Sequence, residues 1–162
     1  MKILSGIKSK LPLIISAAIV LLTLVALFIF SGQDGDESSA LSGIFVDFVM
    51  KLLKLPDDTE TLNIVTFIVR KLAHFSIFTV LGAGLYGMAY SLALKRPYII
   101  SLAIGLVAAI INELQQLTSV GRTASPRDVA IDFAGVVVGS GIILVVTRLI
   151  RKFRERRKLS LD

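Results

Sequence analysis

Four long stretches of this chain are almost purely apolar, and its charged residues gather at their ends. Residues 11–31 carry no charge and are broken only by Pro12, Ser16, Thr23 and the closing Ser31. About 20 helical residues at ~1.5 Å rise cross the ~30 Å hydrocarbon core of a bilayer. The run therefore predicts a first transmembrane helix. It is too long for a cleaved leader, and no small-x-small site follows it closely, so it is read as retained. Residues 72–94 predict a second span, in which His74 is the only residue among Asp, Glu, Lys, Arg and His. Residues 98–118 predict a third, uncharged until Glu113, and residues 128–148 a fourth, with Asp132 near its start. A basic tail, 149–162, follows.

The segment between the first two spans has a different period. After a polar, turn-rich stretch, Leu41, Ile44, Phe45, Phe48, Val49, Leu52 and Leu53 recur at helical spacing. Ser42, Asp47, Lys51 and Lys54 take much of the other face. This predicts an amphipathic helix over 41–55, lying on the outer leaflet. Pro56-Asp57-Asp58 breaks it, and Thr59 is placed to cap the next helix. Residues 61–71 stay open at this level. Joined to the second span they give a helix of ~51 Å, too long for one straight crossing. They are bent, interfacial, re-entrant or part of the span.

Composition agrees with an all-α membrane protein, a bundle of four transmembrane helices with one interfacial helix. The chain has 162 residues, of which 54% are hydrophobic, where soluble domains hold roughly 45–50%. It has no Cys and one His, which excludes disulfides, zinc–thiolate sites and multi-histidine metal sites. Twelve of the 18 Lys and Arg fall at the N-terminus, the turn between the second and third spans, and the C-terminus. Positive residues mark the cytoplasmic side, so both termini are expected inside. The basic tail reads as a topology anchor touching anionic lipid, not as a nucleic-acid site, since no base-reading module accompanies it.

Ionisable groups inside membrane-length apolar runs are costly and usually have a role. In this topology Lys71 with His74, Glu113 with Gln116, Arg122, and Asp128 with Asp132 all reach the outer face. Each pair is three or four residues apart and shares a helix face. Plainer roles compete. Arg70 and Lys71 fit snorkelling anchors, His74 an interhelical hydrogen bond, Asp128 an N-cap, and Arg122 and Arg127 headgroup contacts. Gly135 and Gly139 continue the Asp128–Asp132 face and admit a close neighbour, either another helix of the chain or a second copy.

These residues carry a family resemblance. Asn112-Glu113-Leu114-Gln115-Gln116, then Gly121-Arg122, Ser125, Asp128-Val129, Asp132, Gly135 and Gly139 resemble the signature of the VanZ-like family, named for a teicoplanin-resistance protein. Arg70-Lys71-Leu72-Ala73-His74-Phe75 resembles its second motif. Ser31, Gln33, Glu37-Ser38 and Ser42 resemble a stretch after the first span. Asn112 stands where many members have Asp, and Phe78 where many have Tyr. The resemblance implies a polytopic bacterial cell-membrane protein linked to lipoglycopeptide resistance.

The expected partner is a membrane lipid or lipid-linked envelope precursor, bound or modified at the outer face. Lys71, Gln116 and Arg122 are the expected binding residues. His74, Glu113, Asp128 and Asp132 are the expected catalytic set if there is chemistry, with His74 and Glu113 as acid–base pair. The alternatives are an intramembrane enzyme on a lipid-linked phosphate or glycan, and a small proton-coupled transporter with Glu113 and His74 as relay. The cofactor stays open, with none as the first expectation. Mg²⁺ or Mn²⁺ on Glu113, Asp128 and Asp132 is the metal variant, since oxygen ligands favour these ions over zinc.

Overall fold

The computed structural model describes residues 2–31, 35–118 and 124–159, with side chains over 10–31, 43–118 and 124–157. Among them the chain forms five helices: α1 (Lys2–Ser31), α2 (Gly35–Leu53), α3 (Thr59–Ser91), α4 (Pro97–Gln116) and α5 (Pro126–Leu159). Four of these, all but α2, are long and apolar enough to cross a membrane.

The helix ends follow local chemistry. Asp58, not Thr59, caps α3, accepting from the Thr61 backbone N–H at 2.8 Å and the Thr61 hydroxyl at 2.9 Å. Those bonds, the backbone one foremost, hold the Asp58 carboxyl below the usual carboxylate range. Pro97 and Pro126 open α4 and α5, where a missing N–H costs nothing. Lys54 (φ 51°) and Ala93 (φ 53°) end α2 and α3 in the left-handed region. The Leu55 N–H bonds the Met50 carbonyl and the Leu94 N–H bonds that of Ala89, so orphan carbonyls are met by backbone. The second span thus ends at Ser91, before the residue 94 expected of it.

α3 runs without a break through 61–71, the segment left open above. Its 33 residues make a helix of about 50 Å, longer than the ~30 Å core. Its C-terminal part carries the main core, with Phe78, Leu81 and Leu85 packed with Leu27 of α1, Ala109 of α4 and Val136 of α5. Its N-terminal turns carry a separate core, Val65 against Val46 and Met50 of α2. Ile44, Phe45, Phe48 and Leu52 of α2 stay exposed. α2 thus presents one apolar arc to α3, a second outward, and Asp47 and Lys51 between. α5 likewise continues past the expected end of its span into the basic tail, which holds no helix breaker.

The α3–α5 pair sets the geometry of the site. A Cβ on Gly139 would fall on the Thr79 carbonyl, and one on Gly135 would strike that of Phe75. Val136, between these glycines, fits against Gly82 of α3 and Gly105 of α4. Ser140 donates to the Gly82 carbonyl at 3.0 Å and meets the Ser101 hydroxyl at 3.1 Å, tying three helices together. The Gly135/Gly139 face offered above for self-association is occupied by α3 of the same chain. Small residues let the backbones approach, and packing and interhelical hydrogen bonds then supply what the hydrophobic effect cannot inside lipid.

Candidate functional site

One turn beyond Gly135, the face that closes on α3 carries Asp132, then Asp128. Here the helices separate around a cavity of about 610 Å³. Its walls come from α3 (Asn63, Thr66, Phe67, Arg70, Lys71, His74), the end of α4 (Glu113, Gln116) and the start of α5 (Ser125, Arg127, Asp128, Ile131, Asp132). His74, Lys71, Glu113, Gln116, Asp128 and Asp132, expected to form one site, all line it. Arg122 lies outside the described residues.

The pairings inside the cluster differ from those expected. Lys71 Nζ lies 2.5 Å from Asp128 Oδ2, so its charge is engaged within the protein. That leaves Arg70 and Arg127 as the cavity cations with no ion pair among the described residues. His74 Nδ1 lies 3.6 Å from Asp132 Oδ1, so its acidic neighbour is Asp132, where Glu113 was anticipated. Asp132 is 1% exposed. Its other oxygen accepts from Asn112 Nδ2 at 3.1 Å, and Asn112 Oδ1 accepts from the Ser31 hydroxyl. A chain of polar contacts therefore runs from the cavity through α5 and α4 to the end of α1. An amide both donates and accepts. Asn at position 112 can join a carboxylate to a hydroxyl without placing a second negative charge beside Asp132.

Glu113 has a different task. Its Oε2 accepts the Ser125 backbone N–H at 2.9 Å. Ser125 is the N-cap of α5: its carbonyl accepts from Asp128 and Val129, and its hydroxyl accepts the Arg127 N–H at 3.2 Å. Asp128 is thus the third residue of the helix, not its cap. An acid at that position often turns back to bond the N-cap N–H. Glu113 of α4 takes that donor instead, which frees Asp128 to hold Lys71. The second Glu113 oxygen and Gln116 Nε2 are buried with no hydrogen-bond partner among the described residues.

The three carboxylates thus serve three different partners. Among the described residues no group of His, Asp and Glu side chains could jointly hold a metal ion, so the proposed Glu113–Asp128–Asp132 metal set does not assemble. Sequence reading missed Asn63, Thr66, Phe67, Ile131 and the capping role of Ser125. Asn63, Thr66, Arg70 and His74 recur every three or four residues, a helical stripe readable in principle.

These features define a helical membrane protein with a polar cavity at one end of its bundle. The sequence model of the VanZ/LLP1 family matches residues 16–148, and the chain belongs to that family. No curated protein and no solved structure matches it.

Proposed function

We propose that this protein binds the headgroup of a lipid-linked envelope precursor at the outer membrane face and so lowers susceptibility to teicoplanin-type lipoglycopeptides. The observation that carries the reading is the meeting of Glu113, Gln116, Asp132, His74, Lys71 and Asp128 on one cavity. Burying such groups is expensive, and two of them still have unused hydrogen-bonding capacity. Membership of a family named for a teicoplanin-resistance protein supplies the link to glycopeptides. The Lys/Arg asymmetry supports the outward orientation of the cavity. A Cys at position 124 should then react with an impermeant reagent in intact cells, and one at 160 should not.

The decisive test is glycopeptide protection measured beside membrane abundance. Glu113→Gln keeps shape and removes charge. It should abolish protection while the protein still accumulates. Full protection at normal abundance would sink the reading, and loss only in step with loss of protein would make the cluster a structural network. The His74–Asp132 pair favours a second reading, turnover of the bound precursor, with His74 moving the proton and Asp132 orienting it. If Asp132→Asn keeps precursor binding but loses protection, turnover is the better account.

A further inference from the structure

Glu113 Oε1 and Gln116 Nε2 are the two buried side-chain atoms without a hydrogen-bond partner among the described residues. Their residues are 3% and 7% exposed and both line the cavity. Three apart on α4, they share one helix face. A carboxylate oxygen accepts and an amide nitrogen donates. A hydroxyl both donates and accepts, so a single such group on a ligand can serve the two. Arg70 and Arg127 line the same cavity, and a guanidinium's planar fork matches phosphate oxygens. Phe67, 61% exposed, and Ile131 give it an apolar wall.

We propose that the cavity takes a polyol phosphodiester, its free hydroxyl held between Glu113 and Gln116 and its phosphate by Arg70 and Arg127. The inference rests on the headgroup reading above and names the chemistry of that headgroup. Water meets the hydroxyl requirement when no ligand is bound, and the ligand's hydroxyl replaces it.

The test compares lipids that differ in one feature, using the full-length protein and native mass spectrometry. Phosphatidylglycerol and phosphatidylethanol are both anionic diesters, and only the first carries free hydroxyls. Phosphatidylcholine lacks the net charge. The wild type should retain phosphatidylglycerol about tenfold more strongly than phosphatidylethanol, the ratio that ~1.4 kcal/mol provides. Gln116→Leu should erase that preference. Gln116 Nε2 has no hydrogen-bond partner among the described residues, so the fold should survive the change. Arg70→Gln with Arg127→Gln should weaken both anionic lipids alike. Equal retention of the two anionic lipids by the wild type, still sensitive to the arginines, would overturn the hydroxyl inference and leave the headgroup reading standing. Retention of all three lipids alike, insensitive to the arginines, would overturn the headgroup reading itself. Displacement by glycerophosphoglycerol would support a soluble polyol phosphodiester, and resistance to it a lipid-borne one. Both carry the proposed chemistry.

Discussion

From Phe75 to Ala83, α3 meets α5 backbone to backbone. From Asn63 to His74 the same two helices are held apart by side chains. In the first region Gly135 and Gly139 leave no room even for a Cβ, and Val136 fits between glycines of two neighbours. In the second, Lys71 reaches Asp128 and His74 faces Asp132 across the gap. One face of α5 carries both arrangements: acid, acid, glycine, glycine. The seam fixes the crossing of the helices, and the polar pairs then set the width of the mouth. A cavity at the end of so small a bundle needs both parts, a rigid contact to hold the helices and polar spacers to keep them from closing.

Breaking the seam should have the largest effect. A side chain at position 139 must push away the Thr79 carbonyl, which is backbone and cannot rotate aside. Gly139→Leu should cost the upper end of the ~1–3 kcal/mol usual for overpacking, or more. Membrane abundance should fall and thermal unfolding move down sharply. Normal abundance and stability would mean that α3 and α5 are farther apart than described.

The mouth should respond differently. Asn112→Leu strips a donor from buried Asp132 and an acceptor from Ser31. An unmet buried partner costs about 1–3 kcal/mol. Stability should fall moderately, and protection should fall further than stability, because the orientation of Asp132 beside His74 is lost. Equal losses in both measurements would make Asn112 a packing residue only.

How much of this contrast was readable in advance depends on the kind of constraint. The spans were readable because lipid demands uninterrupted apolar runs, and α2 because its period and flanking charges differ from theirs. The ionisable residues that line the cavity were readable because charge inside such runs is rare. Their partners were not. Whether His74 faces Asp132 or Glu113 depends on how α3, α4 and α5 are rotated, and spacing within one helix does not report rotation between helices. Gly135 and Gly139 announced a close approach without saying to what, and the answer was α3. The Asn63–Thr66–Arg70 stripe escaped notice because the second span was expected to begin at 72, while α3 begins at Thr59.

The charged spacer can be measured on its own. Lys71 and Asp128 side chains are 26% and 19% exposed. Their coupling should therefore lie between the ~0–1 kcal/mol of surface pairs and the ~3–5 kcal/mol lost when a buried pair is broken. A double-mutant cycle with Lys71→Met and Asp128→Asn should give about 1–2 kcal/mol. Coupling near zero would mean that the Lys71–Asp128 pair does not set the width of the mouth, which would then rest on His74 and Asp132.

The smallest expected effect lies at the far end of α3, away from both regions. Ala93 closes that helix with φ 53°, a conformation in which a Cβ is crowded and glycine is at ease. The flanking bonds, Ala93 N–H to Tyr90 and Leu94 N–H to Ala89, are made by backbone and survive any side chain there. Ala93→Gly should relieve the strain, offset in part by the extra freedom glycine has in the unfolded chain. The net gain should be about 0.5–1 kcal/mol, near the lower end of the left-handed penalty. It should appear as a small rise in unfolding temperature with glycopeptide protection unchanged. A fall in stability would show that α3 does not end in this left-handed turn, and the rotation of α3 that sets both seam and mouth would then need to be redrawn from that end.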